Sequence, residues 1–493
     1  MRKRGSERRS PVPVLAVLAL ALAFRLPRLE LRPMHTDEAI EAARAIRVLE
    51  THRPAYDPAA FHGPVLSLLT VPVLGLAGVR SLADGEAWMF RLVPAVAGAL
   101  VALTPFLFAG GIGTGAAGVA GAWLAVSPAF VYWSRDAIPE MLLVLLVAAV
   151  LAFGRLAAGR GACAWTWWAG LAAGVAIATK ETAWLMLGAA VASVALVPEA
   201  RREVSRDAGR CIGPAVATLA ASALLLGGPG ALTAPFRAWT ALGLSGGDHA
   251  HPAGWYLGLL IWSRPMANGP VWSEAAILAL AILGAWRGRA RPIVRFLSIY
   301  SVVLAFFYEA IPYKTPWCLL GFWWGAAVLA GVGVAETWSA LRRRPGRRAA
   351  WAALVAVAVV HLGWQAWRAS FVWPSDRRNP YVYAQSVDDV VRLGALVERL
   401  AAAHADGRAM LVAVVAPDPW PLPWYLRRLT RVGFWAVAED ASAWRAIRLA
   451  PVVIATPDLV RPAGDRVIQH YGTRPGVVLE LSVNRDLWER ALR

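Results

Sequence analysis

The sequence has 493 residues, a formal net charge of +18 and a mean hydropathy of +0.49. Apolar residues make up 58% and charged residues 17%, whereas a soluble globular domain has roughly 45–50% and about 25%. This composition excludes an ordinary soluble protein. The positive charge does not indicate a nucleic-acid binder, because it is concentrated in short segments that flank apolar runs, as the positive-inside rule expects.

The first apolar run, 11–29, follows the basic segment MRKRGSERRS. A cleaved signal peptide is one interpretation. The lack of a clear small-x-small cleavage site and the many apolar runs that follow, up to Gln365, favour an uncleaved first span. Each long run approaches the length of a bilayer-spanning helix, which predicts an α-helical polytopic membrane protein with about 11–13 transmembrane helices. The number of spans before residue 155 stays open, because the loop charges there give no consistent alternation.

The segment 30–63 is predicted to form the first outer loop, and a stretch with helical periodicity begins there after His35. Thr36 is the predicted N-cap, with Asp37 and Glu38 in the first turn. One stripe of this helix is apolar and another is charged, which predicts an amphipathic helix in the membrane interface. The two stripes consist of Ala39, Ala43 and Ile46, and of Asp37, Glu41 and Arg44.

Asp37 and Glu38 are adjacent, and neighbouring residues of a helix do not share a face. We therefore expect separate roles for the two carboxylates. The alternative is that both only stabilise the positive end of the helix dipole, which is worth about 0.3–1 kcal/mol. The spacing by itself does not decide between these interpretations.

Charged residues also lie between two long apolar runs, in the segment YWSRDAIPEM at 132–141. Charges at that depth are costly and indicate function, so Arg135, Asp136 and Glu140 are candidate site residues. The alternative is an arginine–carboxylate pair that holds a turn.

Lysine is rare, since the 50 basic residues include only Lys3, Lys180 and Lys314. Where arginine has replaced most lysines, a remaining lysine indicates a need for a compact ammonium group. A phosphate headgroup is one such need, and chance with snorkelling of a long side chain is the alternative. Lys180 lies in TKET at 179–182 and Lys314 in IPYKTP at 311–316, both at predicted outer membrane edges.

Further polar residues lie near these predicted membrane edges. His62 opens an apolar run, where a histidine is often only a polar marker of the interface. Glu309 is predicted to pair with Lys314 or to share its site. The outer-loop segment GGDHAH is a weak candidate for a divalent metal site, and no other cofactor is indicated. Its three candidate ligands are Asp248, His249 and His251.

Residues 370–493 have shorter apolar runs with alternating strand and helix signals. This pattern predicts a small C-terminal α/β domain after a transmembrane domain at 1–369. It contains no G-x-G-x-x-G or P-loop motif, so nucleotide binding has no support. The predicted strands are 410–416, 451–455 and 477–481, and the predicted helices are 386–403 and 441–450.

Several short motifs, taken in chain order, resemble those of the GT-C glycosyltransferases related to protein O-mannosyltransferases and the lipid A aminoarabinose transferase. They are HTDE at 35–38, HGP at 62–64, SRDAIPEM at 134–141 and TKE at 179–181. Three more resemble the subgroup of flippase-activity-associated proteins. These are IPYKTPW at 311–317, NPYVY at 379–383 and WPLPWY at 420–425.

The resemblance implies many membrane helices, a first outer loop with interfacial helices and a C-terminal extracytoplasmic domain. It implies transfer of a sugar from a polyprenyl- or dolichyl-phosphate carrier to a protein, lipid or glycan acceptor, with inversion at the anomeric carbon, at the outer face of the cell membrane. Asp37 would be the base or acceptor-orienting group, supported by Glu38. The implied donor-phosphate ligands are Arg135, Lys180 and Lys314, and the supporting residues are His35, His62, Glu140, Glu181 and Glu309.

The name of the subgroup points to an alternative function. A non-catalytic flippase, or a flippase partner for lipid-linked oligosaccharides, needs headgroup-binding residues but no base. An ordinary secondary transporter often has two matching halves, and the sequence shows no such internal symmetry.

Overall fold

The computed structural model describes residues 11–53, 56, 62–160, 163–205, 212–228, 249–438, 441–460 and 464–493. The chain divides into two compact units. The helical unit consists of Met1–Leu29, Pro54–Leu66 and Arg91–Tyr381, and the sheet unit of Glu30–Arg53, Ser67–Phe90 and Val382–Arg493. The sheet unit thus includes part of the predicted first outer loop, and the domain boundary expected at 369/370 stays a prediction.

Apolar helices dominate the chain up to residue 367. A helix satisfies its backbone hydrogen bonds internally, which a bilayer requires. The helices are α1 (Val12–Arg25), α2 (Thr36–Thr51), α3 (Val65–Leu76), α4 (Ala87–Leu103), α5 (Ala109–Ile112), α6 (Thr114–Val126), α7 (Pro128–Ser134), α8 (Glu140–Arg160), α9 (Cys163–Ile177), α10 (Ala183–Leu196), α11 (Pro198–Ser205), α12 (Ile212–Leu226), α13 (Trp255–Ile261), α14 (Ala275–Arg287), α15 (Pro292–Ala310), α16 (Leu320–Ala340) and α17 (Pro345–Trp367).

Some of these helices are long enough to cross a membrane. Among the described residues, 5 helices are long and apolar enough to cross a membrane, or up to 7 if each of two bent pairs forms one span. Further apolar helices are shorter, with 10–17 residues. The predicted helical, multi-pass membrane architecture is confirmed, and the count of about 11–13 spans stays a prediction.

A bend between α6 and α7 precedes the segment that carries Arg135. The two helices meet at 59°, because Pro128 has no N–H to continue the α6 ladder and starts a new helix instead. At the bend, the Glu274 carboxylate accepts hydrogen bonds from the Ser127 hydroxyl at 2.5 Å and the Ala129 N–H at 3.0 Å.

Two further side chains complete the surroundings of Glu274, which is only 1% exposed. Trp323 donates from its indole N–H at 3.1 Å, and Tyr381 donates from its hydroxyl at 2.6 Å. Four donors satisfy this buried carboxylate. Glu274 therefore holds the bend in place, and the sequence pattern had not indicated it.

The sheet unit contains a five-stranded sheet with the order β2-β1-β3-β5-β4. Strands β1, β2 and β3 are parallel, and β5 is antiparallel to both β3 and β4. The strands are β1 (Val412–Val415), β2 (Val432–Trp435), β3 (Val452–Ala455), β4 (Arg466–Arg474) and β5 (Val477–Asn484). The helices of this part of the chain are α18 (Asp388–Ala402), α19 (Leu422–Tyr425), α20 (Ala441–Leu449) and α21 (Arg485–Leu492).

The predicted small α/β fold is confirmed in this unit. All residues of β1 and β3 are buried, as expected for inner parallel strands, and both were predicted. Strands β2 and β4 were missed. Strand β2 has no fully buried residue, and β4 reads RVIQHYGTR, so neither presents the buried apolar run that a sequence reveals.

Candidate active site

Helix α2 of the sheet unit begins at a cap that His35 provides. The backbone of His35 is extended, and its Nδ1 accepts a hydrogen bond from the Asp37 N–H at 3.2 Å. In return, the Glu38 carboxylate accepts from the His35 N–H at 2.9 Å. This exchange satisfies N–H groups that a helix N-terminus leaves unpaired. The prediction of Thr36 as N-cap is wrong by one residue, because Thr36 is already helical.

The adjacent carboxylates Asp37 and Glu38 have different surroundings. The Glu38 side chain is fully buried, and besides its part in the cap it lies 3.9 Å from Nη2 of Arg32. The Asp37 side chain is 31% exposed, with Oδ2 at 3.9 Å from Nδ1 of His35. Asp37 is therefore the carboxylate that a reactant can reach, whereas Glu38 holds the end of the helix.

Protonation of His35 is incompatible with this cap, because Nδ1 must be unprotonated to accept the Asp37 N–H. Burial lowers the pKa of His35, and this effect exceeds the opposite influence of Asp37 and Glu38. The neutral imidazole is thus the form that the fold favours.

Acidification is expected to weaken the α2 cap. Because the pKa of His35 is lower in the folded than in the unfolded state, its stabilising contribution is present above about pH 6.5 and is lost as the pH falls further. The apparent Tm of the purified protein should fall between about pH 7.5 and pH 5. The fall should be smaller in His35→Asn, since asparagine caps a helix without titrating. Equal falls in both proteins would contradict this role of His35.

The charged stripe of α2 does not face solvent at Glu41. This residue is 4% exposed, and its carboxylate accepts from the Ser67 hydroxyl at 2.9 Å and from Nη1 of Arg44 at 2.6 Å. Burial raises the pKa of Glu41. Protein donors therefore replace water around the Glu41 carboxylate of the charged stripe.

The C-terminal part of the sheet unit contacts the N-terminus of α2. Arg474 of β4 donates from Nη1 to the Thr36 hydroxyl at 3.2 Å and from Nη2 to Asp418 at 2.5 Å. The Ser386 hydroxyl donates to the carbonyl of Met34 at 2.7 Å. These contacts hold the Met34 carbonyl and the Thr36 side chain on either side of His35. They join residues 352 and 438 positions apart, and no local pattern in the sequence reveals them.

In the helical unit, Lys180 and Glu140 form a buried ion pair. The Lys180 ammonium donates to Oε1 of Glu140, and both side chains are 5% exposed. The second oxygen, Oε2, has no hydrogen-bond partner within the described ranges. The cost of removing two charges from water offsets most of their attraction. Stability is therefore a weak explanation for this pair, and function is a better one.

The pair lies in the wall of a small, mostly apolar crevice. The Lys180 ammonium lies 5.8 Å from the centroid of the Trp317 ring. A cation in an apolar wall suits an amphiphilic ligand with an anionic head. The other lining residues are Leu143, Val144, Thr182, Met186, Tyr308, Cys318, Leu320 and Gly321.

The segment around His62 packs against the turn that carries Lys180. The Gly63 N–H donates to the carbonyl of Thr179 at 3.0 Å, and the His62 N–H donates to Oε2 of Glu181 at 3.3 Å. The fold thus brings together His62, Glu140, Lys180 and Glu181, which the sequence had suggested separately.

Gly63→Ala is expected to push the His62 segment away from this turn. A Cβ at position 63 would lie 1.7 Å from the carbonyl oxygen of Ala178, and such overpacking costs about 1–3 kcal/mol. The apparent Tm and the activity should both fall. Gly154→Ala is the control, because no atom lies within 4 Å of a Cβ there. Equal stability of the two variants would contradict the close approach.

Arg135 has protein partners in the structure. Its guanidinium donates to the carbonyls of Arg25 at 2.9 Å and Arg28 at 2.8 Å, and it lies 4.3 Å from the centroid of the Phe371 ring. These carbonyls lie at and beyond the C-terminal end of α1, so Arg135 holds that end of the helix. Its expected contact with a donor phosphate stays a prediction.

Lys314 and Glu309 have separate structural partners. The Lys314 ammonium donates to the carbonyls of His251, at 3.1 Å, and Ile311. Burial lowers the pKa of Lys314. The Glu309 carboxylate accepts from the Gly254 N–H at 2.8 Å, at the start of α13. Lys314 therefore ties two loops together, and within the described residues no ion pair joins it to Glu309.

The structure describes two of the three candidate metal ligands. His251 stacks on Trp255 with ring centroids 4.3 Å apart, and His249 meets Tyr313 edge-on at 5.0 Å. Asp248 lies outside the described residues. In the ranges that are described, no group of three or more His, Cys, Asp or Glu side chains is arranged around a metal position. The metal site stays a prediction.

A family model of known proteins matches part of the chain. Residues 71–226 match the model described as dolichyl-phosphate-mannose-protein mannosyltransferase. This range contains Arg135, Glu140, Lys180 and Glu181 but not Asp37. This part of the chain is therefore similar to protein mannosyltransferases. The resemblance to protein O-mannosyltransferases is thereby confirmed, and membership of the flippase-associated subgroup stays a prediction. No curated protein matches the chain.

Solved structures share the fold of this chain at low sequence identity. ArnT from Cupriavidus metallidurans bound to undecaprenyl phosphate has a TM-score of 0.63 and 17% identity, covering 97% of this chain and 99% of that one. The Archaeoglobus fulgidus oligosaccharyltransferase tethered to an acceptor peptide has a TM-score of 0.60 and 13% identity, covering 91% and 69%. The mycobacterial arabinofuranosyltransferase AftD has a TM-score of 0.52 and 15% identity, covering 96% and 40%.

Proposed function

We propose that this protein is a glycosyltransferase that moves a sugar from a polyprenyl- or dolichyl-phosphate donor to an acceptor hydroxyl at the outer membrane face. The observation that carries the proposal is the buried Lys180–Glu140 pair in its apolar crevice. An ammonium is a strong partner for phosphate, and the residues around it are mostly apolar. The bound undecaprenyl phosphate of the ArnT structure supports the same class of carrier.

The donor phosphate takes the place of the Glu140 carboxylate at the Lys180 ammonium. Negative charge grows on the phosphate as its bond to the sugar breaks. A fixed cation beside it stabilises the transition state more than the ground state, which is the condition for catalysis. Lys180 is the main phosphate ligand in this proposal, and the predicted contributions of Arg135 and Lys314 are secondary, because both bind backbone carbonyls here.

Asp37 acts as the general base in the transfer step. The acceptor oxygen forms a bond to the anomeric carbon while the bond from that carbon to the phosphate oxygen breaks, which inverts the configuration. The hydroxyl proton passes to the Asp37 carboxylate, and the polyprenyl phosphate leaves with the bonding electron pair. The exposure of Asp37 beside the buried Glu38 supports this division of roles.

The experiment is a turnover assay with the full chain in lipid nanodiscs. Polyprenyl-phosphate mannose and polyprenyl-phosphate arabinose are supplied with a membrane extract as acceptor source, and mass spectrometry measures the released polyprenyl phosphate. Parallel samples contain EDTA or added Mn²⁺, which tests the metal predicted at 248–251. Release that depends on the extract is expected. Donor binding without release, together with transbilayer movement of the lipid in vesicles, would favour the flippase alternative and overturn the proposal.

A further inference from the structure

Arg368 lies where α17 ends and continues into the short π-helical turn Arg368–Val372. Its guanidinium carbon lies 3.8 Å from the ring centroid of Trp373, 4.5 Å from that of Trp364 and 6.0 Å from that of Trp272. Within the part of the chain that the structure describes, this guanidinium has no hydrogen bond or ion pair to protein. Three indoles hold the cation, and its five N–H donors remain available to a ligand.

A second arginine contacts the same ring but carries its own counter-charge. The guanidinium carbon of Arg378 lies 4.7 Å from the centroid of Trp373. Asp376 accepts from Nη2 of Arg378 at 2.6 Å and from its Nε at 3.0 Å. Two cations on one indole repel each other, and Asp376 pairs with only one of them. The positive charge of Arg368 is therefore the one that Asp376 does not neutralise.

An exposed apolar stripe of α17 leads to Arg368. Positions 354, 357, 361, 364 and 368 are spaced by three or four residues and so lie on one face, which is apolar except at His361 and Arg368. Leu354 is 59% exposed, Val357 65% and Trp364 48%. The candidate span Pro345–Val372 is buried over only 22% of its apolar window. This face therefore meets the bilayer, and tryptophans near its end match the interfacial position that indoles prefer.

We propose that Arg368, Trp272, Trp364 and Trp373 form a binding site for an anionic glycerophospholipid. The phosphate accepts paired N–H groups from the guanidinium fork, a geometry for which arginine is suited and lysine is not. An acyl chain lies along the stripe of α17. The occupant is a bilayer lipid rather than the sugar carrier, because the stripe is open to the membrane and not enclosed in a crevice. This site goes beyond the proposed transfer function and does not depend on it.

The test is native mass spectrometry of the full chain in detergent, titrated with phosphatidylglycerol, phosphatidylcholine or undecaprenyl phosphate. Arg368→Met is expected to bind the first phosphatidylglycerol about tenfold or more weakly than the unmodified chain, since charge-assisted hydrogen bonds are lost. Arg368→Lys should lie between the two. The matched control is Arg289→Met, because that guanidinium is also close to an indole, Trp286, at 5.8 Å, but donates to a backbone carbonyl.

Equal affinity of Arg368→Met and the unmodified chain for phosphatidylglycerol would overturn the site. Weakened binding of undecaprenyl phosphate alone would overturn the assigned occupant. If Arg368→Met does not fold, Arg368→Lys and Trp373→Phe are measured instead. Arg368→Lys keeps the cation, and Trp373→Phe keeps an aromatic ring. Unchanged phosphatidylglycerol affinity in both of these would equally refute the proposal.

Discussion

Asp37→Asn is expected to lower the rate of sugar transfer by about 10²–10⁴-fold, which is the usual contribution of a general base. Asparagine has nearly the same shape but does not accept the proton of the acceptor hydroxyl. The α2 cap should persist, because it uses the backbone N–H of Asp37 and not its carboxylate. Donor binding and folding should therefore change little. Single-turnover kinetics with saturating polyprenyl-phosphate sugar measures the chemical step directly.

Asp388→Asn provides the matched control for Asp37→Asn. Asp388 is also an acidic residue in the first turn of a helix of the sheet unit, α18. Both substitutions remove a favourable interaction with the helix dipole, worth about 0.3–1 kcal/mol, but only the change at Asp37 should slow transfer. Equal rates in the Asp37→Asn variant and the unmodified protein would reject the base assignment.

Lys180→Met is expected to destabilise the protein by about 3–5 kcal/mol, because it leaves the Glu140 carboxylate buried without its counter-charge. It should also abolish retention of the donor lipid. Loss of folding alone would hide that second effect. The double variant Lys180→Met/Glu140→Gln removes the unpaired charge as well, so it should recover most of the stability while donor binding stays absent. Apparent Tm and co-purified lipid are the two readouts.

Arg291→Met is the comparison for the effect on stability. Arg291 pairs with Glu336, but the two side chains are 39% and 27% exposed, so breaking that pair should cost less than about 1 kcal/mol. Normal lipid retention by the double variant would show that Lys180 is a structural residue. It would leave the role of Asp37 to be judged by its own assay.

Lys180 shows which features of the candidate site could be predicted from the sequence. Its rarity as a lysine and its place beside an apolar run predict a function, and the structure shows the side chain in a buried ion pair. Its partner Glu140 lies 40 positions earlier. Both residues were candidates, but their pairing depends on how α8 and the turn after α9 pack, and neither periodicity nor spacing encodes that.

Arg135 and Glu274 show where residue-level reasoning ends. A costly charge between apolar runs was interpreted as a ligand contact for Arg135, yet backbone carbonyls of α1 use its donors. Glu274 has the stronger structural role but resembles any acidic residue at the start of an apolar helix. Its donors come from three distant segments, so only the assembled structure reveals them.

The anchoring of α2 by the far end of the chain has a consequence for biosynthesis. Thr36 leaves the ribosome early, whereas its partner Arg474 follows 438 residues later. At about 5–20 residues per second, that interval lasts roughly 20–90 s. During this time the proposed catalytic carboxylate is present without the contacts that orient it. On the proposed role of Asp37, the order of synthesis would delay sugar transfer until the last strands are in place.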